Sequence, residues 1–426
     1  MAKATRRAAL IAGAATVGAA AWLRPSDRGG AHDAYFAGLQ RALQEARIGS
    51  PAIVIDAARW RANLERIRHN THAKLPLRVV VKSLPSLKLV DAALEAWSTQ
   101  RAMVFNAPQL VSIALARPQA ELLLGKPLTA AAAQGVLRGP AGATAARQTQ
   151  WLVDSPQRLA QYRELARGFG TPLRVNFEID VGLHRGGVED PAELEQMLNA
   201  VKAEPLLQWS GYMGYEAHVA AIPDLAGSRD EAWREVHARY ERAWAAAQRV
   251  LAPEVARRDR VTLNTGGSHT YRRHDDQHVP NEVSVGSAAV KPSDFAQPET
   301  DDLLPAAFIA TPVLKRLPAF RLPVGVEWIS RAARWWDVNQ SQALCIHGGH
   351  WLADAASPAG VAESGLYGHS SNQQVLVAPP SVPLKPDDFV FFRPRQSEAV
   401  LLQFGDLLVY DQGRITGTWP VFPASA

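Results

Sequence analysis

Eight short apolar runs, most of them followed by a helical pattern, restrict this chain to very few architectures. They are Arg78–Lys82, Ala102–Asn106, Glu121–Gly125, Trp151–Asp154, Leu173–Asp180, Trp209–Tyr215, Val261–Thr265 and Glu282–Val290. Each has the length and aliphatic content of a strand buried on both faces. Amphipathic helical patterns fill most gaps, at Leu87–Trp97, Pro108–Ala116, Pro156–Gly168, Pro191–Ala203 and Asp230–Leu251. Ahead of them, Asp33–Arg47 reads as a helix, Ile53–Ile55 as a strand and Ala57–His69 as an amphipathic helix. The alternation predicts an α/β fold built on a (β/α)8 TIM-type barrel. The competing arrangement is an open doubly wound sheet. It is disfavoured because no Gly-rich dinucleotide fingerprint follows the first strand.

After Pro292 the texture changes. Pro305, Pro312, Pro318 and Pro323 punctuate short β-like runs at Ala307–Ile309, Val375–Val377, Phe389–Phe392, Val400–Phe404 and Leu407–Tyr410. A mostly β C-terminal domain is expected, with Ala355–Ser371 as a long small-residue loop. At 426 residues, two domains are the ordinary expectation. The boundaries read as 1–30 for a leader, 31–300 for the barrel and 301–426 for the β domain.

The leader has the pattern of an export signal. Thr5-Arg6-Arg7 precedes an apolar run, Ala8–Leu23, with small residues at Ala19–Ala21 and a polar boundary from Arg24. The paired arginines suggest the twin-arginine type. The run is short for a membrane span. A periplasmic or membrane-anchored protein is therefore expected, a cytoplasmic one being the alternative. The net charge of +5 comes without a long basic run, so no nucleic-acid footprint is present. Cys345 is the only cysteine, which excludes an internal disulfide and a cysteine zinc cluster.

In such a barrel the chemistry lies at the C-terminal ends of the strands. The first strand ends at Lys82. A lysine there most often snorkels into solvent, yet a strand-end amine also suits a Schiff base with a carbonyl cofactor. The fifth ends Glu178-Ile179-Asp180-Val181-Gly182-Leu183-His184-Arg185, where Arg185 offers a fixed cation for an ionised phenol. The sixth reaches Tyr215, an aromatic that either packs in the core or stacks on a flat cofactor. The seventh runs into Thr265-Gly266-Gly267-Ser268, whose glycines let backbone N–H groups approach an oxyanion. Gly286 and Ser287 on the eighth extend that cradle. Each residue singly has a plain structural explanation. Together they suit pyridoxal 5'-phosphate, a planar aldehyde with a phosphate handle.

With these pieces in this order from Ser50 onward, the chain resembles the alanine-racemase-type barrel family of pyridoxal-phosphate enzymes. Within it, the resemblance is to the branch containing D-threonine aldolase and D-serine dehydratase. It rests on Val81-Lys82-Ser83, the Glu178–Arg185 segment, Gly211–His218, Thr265–Ser268 and Gly286-Ser287. It implies that Lys82 binds the cofactor covalently and is the base at Cα. Arg185 would hold the phenol oxygen, and Tyr215 would lie against the pyridine ring. Thr265, Gly266, Gly267 and Ser287 would hold the phosphate. It also implies a small amino-acid substrate, with D configuration favoured, and a homodimer.

Departures from the family pattern matter equally. The branch binds a divalent metal through a C-terminal Pro-x-His-x-Cys or Pro-x-His-x-Asp segment. Here the matching stretch is Pro394-Arg395-Gln396-Ser397-Glu398, so the usual metal site is expected to be absent. His347, His350 and His369 are alternative ligands, although ordinary loop histidines are the favoured reading. Ala288 replaces a tyrosine that often follows Gly-Ser. Ser284 aligns with the arginine that alanine racemases place beside the ring nitrogen. Lyase chemistry, aldolase- or dehydratase-like, is the expectation. A metal-independent racemase is the alternative and needs a second acid/base, for which Tyr367 and Tyr410 are candidates. A binding protein that retains Lys82 without turnover is a third reading.

Overall fold

The computed structural model describes residues 24–423, apart from 224 and 226. The expected export signal lies outside the described residues. Among those described, no helix is long and apolar enough to cross a membrane.

A first strand, β1 (Ala52–Asp56), precedes a closed barrel of eight parallel strands. These are β2 (Leu77–Val80), β3 (Arg101–Val104), β4 (Glu121–Leu124), β5 (Thr149–Val153), β6 (Leu173–Glu178), β7 (Leu207–Met213), β8 (Thr262–Thr265) and β9 (Glu282–Val285). Closure comes from β9 against β2, with Leu77 opposite Val283 and Val79 opposite Val285. All eight expected strands are present, and the doubly wound alternative is excluded by that closure.

Short polar residues start the surrounding helices. Asp56, Asn106, Ser155 and Asp190 each accept a backbone N–H of the first turn, satisfying donors that the helix itself leaves free. Pro156 and Pro191 occupy the first helical position, where a missing N–H is harmless. Two helices between β4 and β5, Ala130–Arg138 and Gly142–Gln148, were not expected. Their alanine-rich sequence carries little polar–apolar contrast from which to read a period.

The barrel interior is polar at its lower level. Arg78 on β2 is fully buried and donates to Glu282 Oε2 (2.9 Å) and to Glu121 Oε1 (3.2 Å). Asn264 donates to Glu282 and to Ser284 Oγ (2.8 Å). A buried guanidinium is tolerable only when its donors are paired, as here.

The chain divides into two compact units that interleave in sequence. The barrel unit is Ile55–Ala307 with Arg395–Val409 and the residues from Gly417 onward. The other unit takes the residues up to Val54, Phe308–Pro394 and Tyr410–Thr416. Its antiparallel strands are β10 (Ala307–Leu317), β11 (Gln342–His347), β12 (Ala353–Ser357), β13 (Ala362–Glu363), β14 (Gln373–Ala378) and β15 (Phe389–Pro394). β10 pairs with β11 and β15, β14 with β11 and β13, and β12 with β15.

Two expectations for the C-terminal part are corrected. Val400–Phe404 is not a strand: Ser397–Val400 is a short helix, and turn bonds follow it. A brief apolar run fits either period, and burial of Val400 and Leu401 on one side selects the helical one. Ala355–Ser371 is not one loop, since β12 and β13 occupy parts of it. Most of β12 is exposed, so it shows no apolar alternation, and its pairing with β15 defines it.

Candidate active site

Lys82 leaves the sheet in a single 3-10 turn, Val81–Ser83, directly after β2. Its Nζ donates to Glu398 Oε1 at 3.0 Å and lies 5.0 Å from the centre of the Phe105 ring. Glu398 stands on the short helix Ser397–Val400. Arg395 and Gln396 fasten that segment to the barrel unit by donating to the two oxygens of Asp294 (3.1 and 3.2 Å). The Lys82 side chain is 39% exposed and that of Glu398 31%. Burial raises the Glu398 pKa, but the Lys82 charge and hydrogen bonds outweigh it and hold the carboxyl below its ordinary value. Hydroxyls extend the pair. Ser397 donates to Glu398 Oε2 (3.0 Å), and Ser287 Oγ lies 2.8 Å from Ser83 Oγ and 3.1 Å from Ser397 Oγ.

A cavity opens beside this pair at the C-terminal ends of the strands. Lys82, Arg185, Tyr215, Gly266, Gly267 and Ser287 all line it. Ser268, Ser284, Gly286 and Glu398 line it too. Among its lining residues, Glu398 is the one carboxylate.

Tyr215 sits between two expected neighbours. The Arg185 guanidinium lies 5.2 Å from its ring centre. On the other side a Cβ at Gly267 would come within 2.6 Å of Tyr215 Cε2, so only glycine admits the ring. Burial and the Glu216 charge push the Tyr215 hydroxyl up to about 12, so it stays neutral. Gly286 is similarly confined, its Cβ position lying 2.8 Å from Val80 Cβ and 2.9 Å from Ser83 Oγ. Ser268 Oγ accepts from Ala288 N at 2.9 Å.

Thr265 is placed differently from its neighbours. It is fully buried and outside the cavity lining, and its hydroxyl donates to Glu216 Oε2 at 3.0 Å. Gly266 N donates to the same oxygen (3.2 Å), while Thr270 and His274 engage Oε1. Although burial opposes ionisation, His274 and these donors bring the Glu216 carboxyl down to about 2. Glu216 thus holds the turn from beneath as an ionised anchor. The sequence displayed Glu216 and Glu398 in segments that drew attention for other residues. No local pattern told which partner each would meet.

The donor set fits pyridoxal phosphate. An amine stands at one side of the cavity, an aromatic ring forms a wall, and hydroxyls gather with two glycine-only positions. Ser284, hydrogen-bonded both ways with Asn264, presents a neutral hydroxyl to the same space.

The positions matching the branch's metal segment are engaged elsewhere, Gln396 with Asp294 and Glu398 with Lys82. In the other unit, His350 and His369 pack ring to ring (4.6 Å), and His369 pairs with Glu363 (3.3 Å). Among the described residues, the three ligand-type side chains that converge closely are Asp180, His184 and Glu189. They already have partners, His184 Nδ1 lying 2.8 Å from Asp180 Oδ2 and Glu189 pairing with Arg239. Tyr367 is exposed near Phe320, and Tyr410 packs edge-on to Tyr35; neither lines the cavity.

Residues 55–294 match the family model described as alanine racemase, N-terminal domain. A 3-hydroxy-D-aspartate aldolase of Paracoccus denitrificans is 31% identical over 146 residues, 34% of this chain and 36% of that protein. The match therefore spans about a third of the curated relative. Solved structures share the fold, among them the following two. D-threonine aldolase from Filomicrobium marinum has a TM-score of 0.66 at 17% identity, covering 87% of this chain and 96% of that one. Alanine racemase from Bacillus anthracis has a TM-score of 0.65 at 14% identity, covering 87% and 98%. The family match takes in more than half of the chain and all eight barrel strands, so the protein belongs to the alanine racemase N-terminal domain family of pyridoxal-phosphate-dependent enzymes.

Proposed function

We propose that this protein is a pyridoxal-phosphate-dependent lyase acting at Cα of a small D-3-hydroxy amino acid. One observation carries the choice of lyase: Glu398 lies 3.0 Å from Lys82 Nζ. Two groups in hydrogen-bond contact cannot flank one tetrahedral carbon from opposite sides, so Lys82 and Glu398 are not the pair that racemisation requires. They can serve neighbouring atoms on one side.

Bound in the cavity, the cofactor supplies an electron sink for a bond to Cα. Gly267, Ser268 and Ser287 would hold its phosphate, and Tyr215 would support its ring. Lys82 would hold the cofactor and would carry a proton to or from the substrate's Cα. Glu398, ionised, accepts the proton of the substrate's 3-hydroxyl, which releases the electrons that break the adjacent carbon bond. The names of the aldolase relatives support this direction.

The test is direct. Protein incubated with pyridoxal phosphate should turn yellow, and borohydride reduction should fix the added mass on Lys82. Supplied with a D-3-hydroxy amino acid, it should release the Cβ fragment as a carbonyl compound together with glycine. A colourless protein that takes up no cofactor rejects the reading altogether. Interconversion of enantiomers without such products rejects the lyase assignment.

A further inference from the structure

The helix Glu327–Trp336, in the unit that contains β10–β15, has two unlike faces. Inward, Ile329 packs against a cluster that includes Phe320, Leu322, Cys345 and Val375. Ser330 is buried, accepting from Leu322 N (3.1 Å) and donating to Glu327 O (2.7 Å). Outward, Trp328, Arg331, Ala332 and Trp335 follow one another at helical spacing and are all exposed. Trp328 is 63% exposed and Trp335 64%, with Trp336, Val324 and Val326 open beside them. Water alone gives no reason for so large an apolar patch on a folded surface.

Arg24 ties this face to the start of the chain. Its guanidinium lies 4.7 Å from the centre of the Trp335 ring, and its Nε donates to Trp336 O at 3.4 Å. In sequence, Arg24 directly follows the apolar run 8–23. The chain therefore leaves that run at the edge of the tryptophan patch. Arg331 and Arg334 lie on the same helix, with Arg24 over the Trp335 ring, while Arg321 is paired with Glu327 at 2.6 Å.

We propose that this face docks on the headgroup layer of an anionic bilayer, beside the apolar run 8–23. Tryptophan rings favour that layer, where one edge is apolar and the other wet. Arginines pair with lipid phosphates and gain from a negative surface. The run is shorter than the roughly 20 residues of a full span, and a weak anchor becomes stable when a second element joins it. A symmetric pairing of two copies through the same patch would bring like-charged arginines together.

The experiment uses the full chain with vesicles of phosphatidylcholine, alone or mixed with phosphatidylglycerol. Co-sedimentation should be strong with the mixed vesicles and weaken in high salt. Hydrogen exchange over residues 323–338 should slow on binding. Trp328→Ser with Trp335→Ser, and separately Arg24→Glu with Arg331→Glu, should each lower partitioning about tenfold while circular dichroism stays unchanged. Vesicle binding with unchanged exchange over 323–338 would overturn the proposal, because the apolar run alone would then suffice. So would protection without vesicles that rises with concentration and accompanies a dimeric mass, which assigns the patch to a second copy. Failure to bind either vesicle also overturns it.

Discussion

Lys82 and Glu398 are separated by 316 positions in the chain, yet their side chains meet at 3.0 Å. The lysine lies in the 3-10 turn that follows the first barrel strand, and the glutamate arrives on a return segment that rejoins the barrel unit near the C-terminus. Their contact places a carboxylate held below its ordinary pKa beside the strand-end lysine.

Glu398→Gln keeps the shape of the side chain and removes its basicity. Turnover of a D-3-hydroxy amino acid should fall by about 10²–10⁴, the range for a lost general base. Cofactor uptake, read from visible absorbance, should persist. Because Glu398 and Gln396 are engaged elsewhere, treatment with a chelator should leave wild-type turnover unchanged. Wild-type rates in the glutamine variant would rule out this role.

Glu216 predicts an effect on phosphate rather than on Cα chemistry. It is ionised and anchors Thr265, Gly266, Thr270 and His274 from beneath the turn. Glu216→Gln should weaken cofactor affinity about tenfold, read by equilibrium dialysis, since loose positioning of a donor set is costly. Its folded pKa is depressed, so its stabilising contribution is present above the ordinary carboxylate value of 4.5 and is lost as pH falls toward about 2. The variant should lack that acid-dependent loss in thermal denaturation.

Glu178 behaves in the opposite sense. It lines a cleft shared with Lys82, Arg185 and Glu398. Burial, with the charges of Asp154 and Asp180, raises its carboxyl to about 7 despite Arg185. A raised carboxylate pKa contributes stability at low pH that is lost as pH rises from 4.5 to about 7. Glu178→Gln should flatten that decline, which amounts to roughly 1–3 kcal/mol. Ionised Glu178 also repels a substrate carboxylate, so KM should rise through neutrality in the wild type and not in the variant.

Arg78 tests the barrel's interior. Its buried guanidinium pairs with fully buried Glu282 and with partly exposed Glu121. Arg78→Met removes the fully buried partner of Glu282, leaving it to Arg101 and Asn264, and should destabilise the protein by about 3–5 kcal/mol, measured by denaturant unfolding. Near-native stability would mean that the neighbouring Arg101 compensates, since it already reaches Glu282 at 3.1 Å.

The barrel was legible because burial on both faces forces parallel strands into apolar runs such as Val79–Val81, and their number and spacing survive as a pattern. That Lys82, Arg185, Tyr215, Gly266, Gly267 and Ser268 would face one cavity was legible for a related reason: strand ends are where a barrel presents its side chains. Glu398 and Glu216 were not. A carboxylate has no local signature that names its partner, and its role follows from distances across the fold. The segment after Gln396 shows the same limit: Val400–Phe404 reads as a short strand, yet packing sets a helix at Ser397–Val400 and turns after it.

The sequence by itself determined the alternation, the helix caps and the side-chain types at the strand ends, all of which depend on neighbours in the chain. Tertiary structure alone decided that Glu398 closes on Lys82, that Thr265 turns to Glu216 rather than to the cavity, and that Arg24 rests on Trp335. Those are long-range encounters, fixed by how closed sheets and packed helices bring distant segments together.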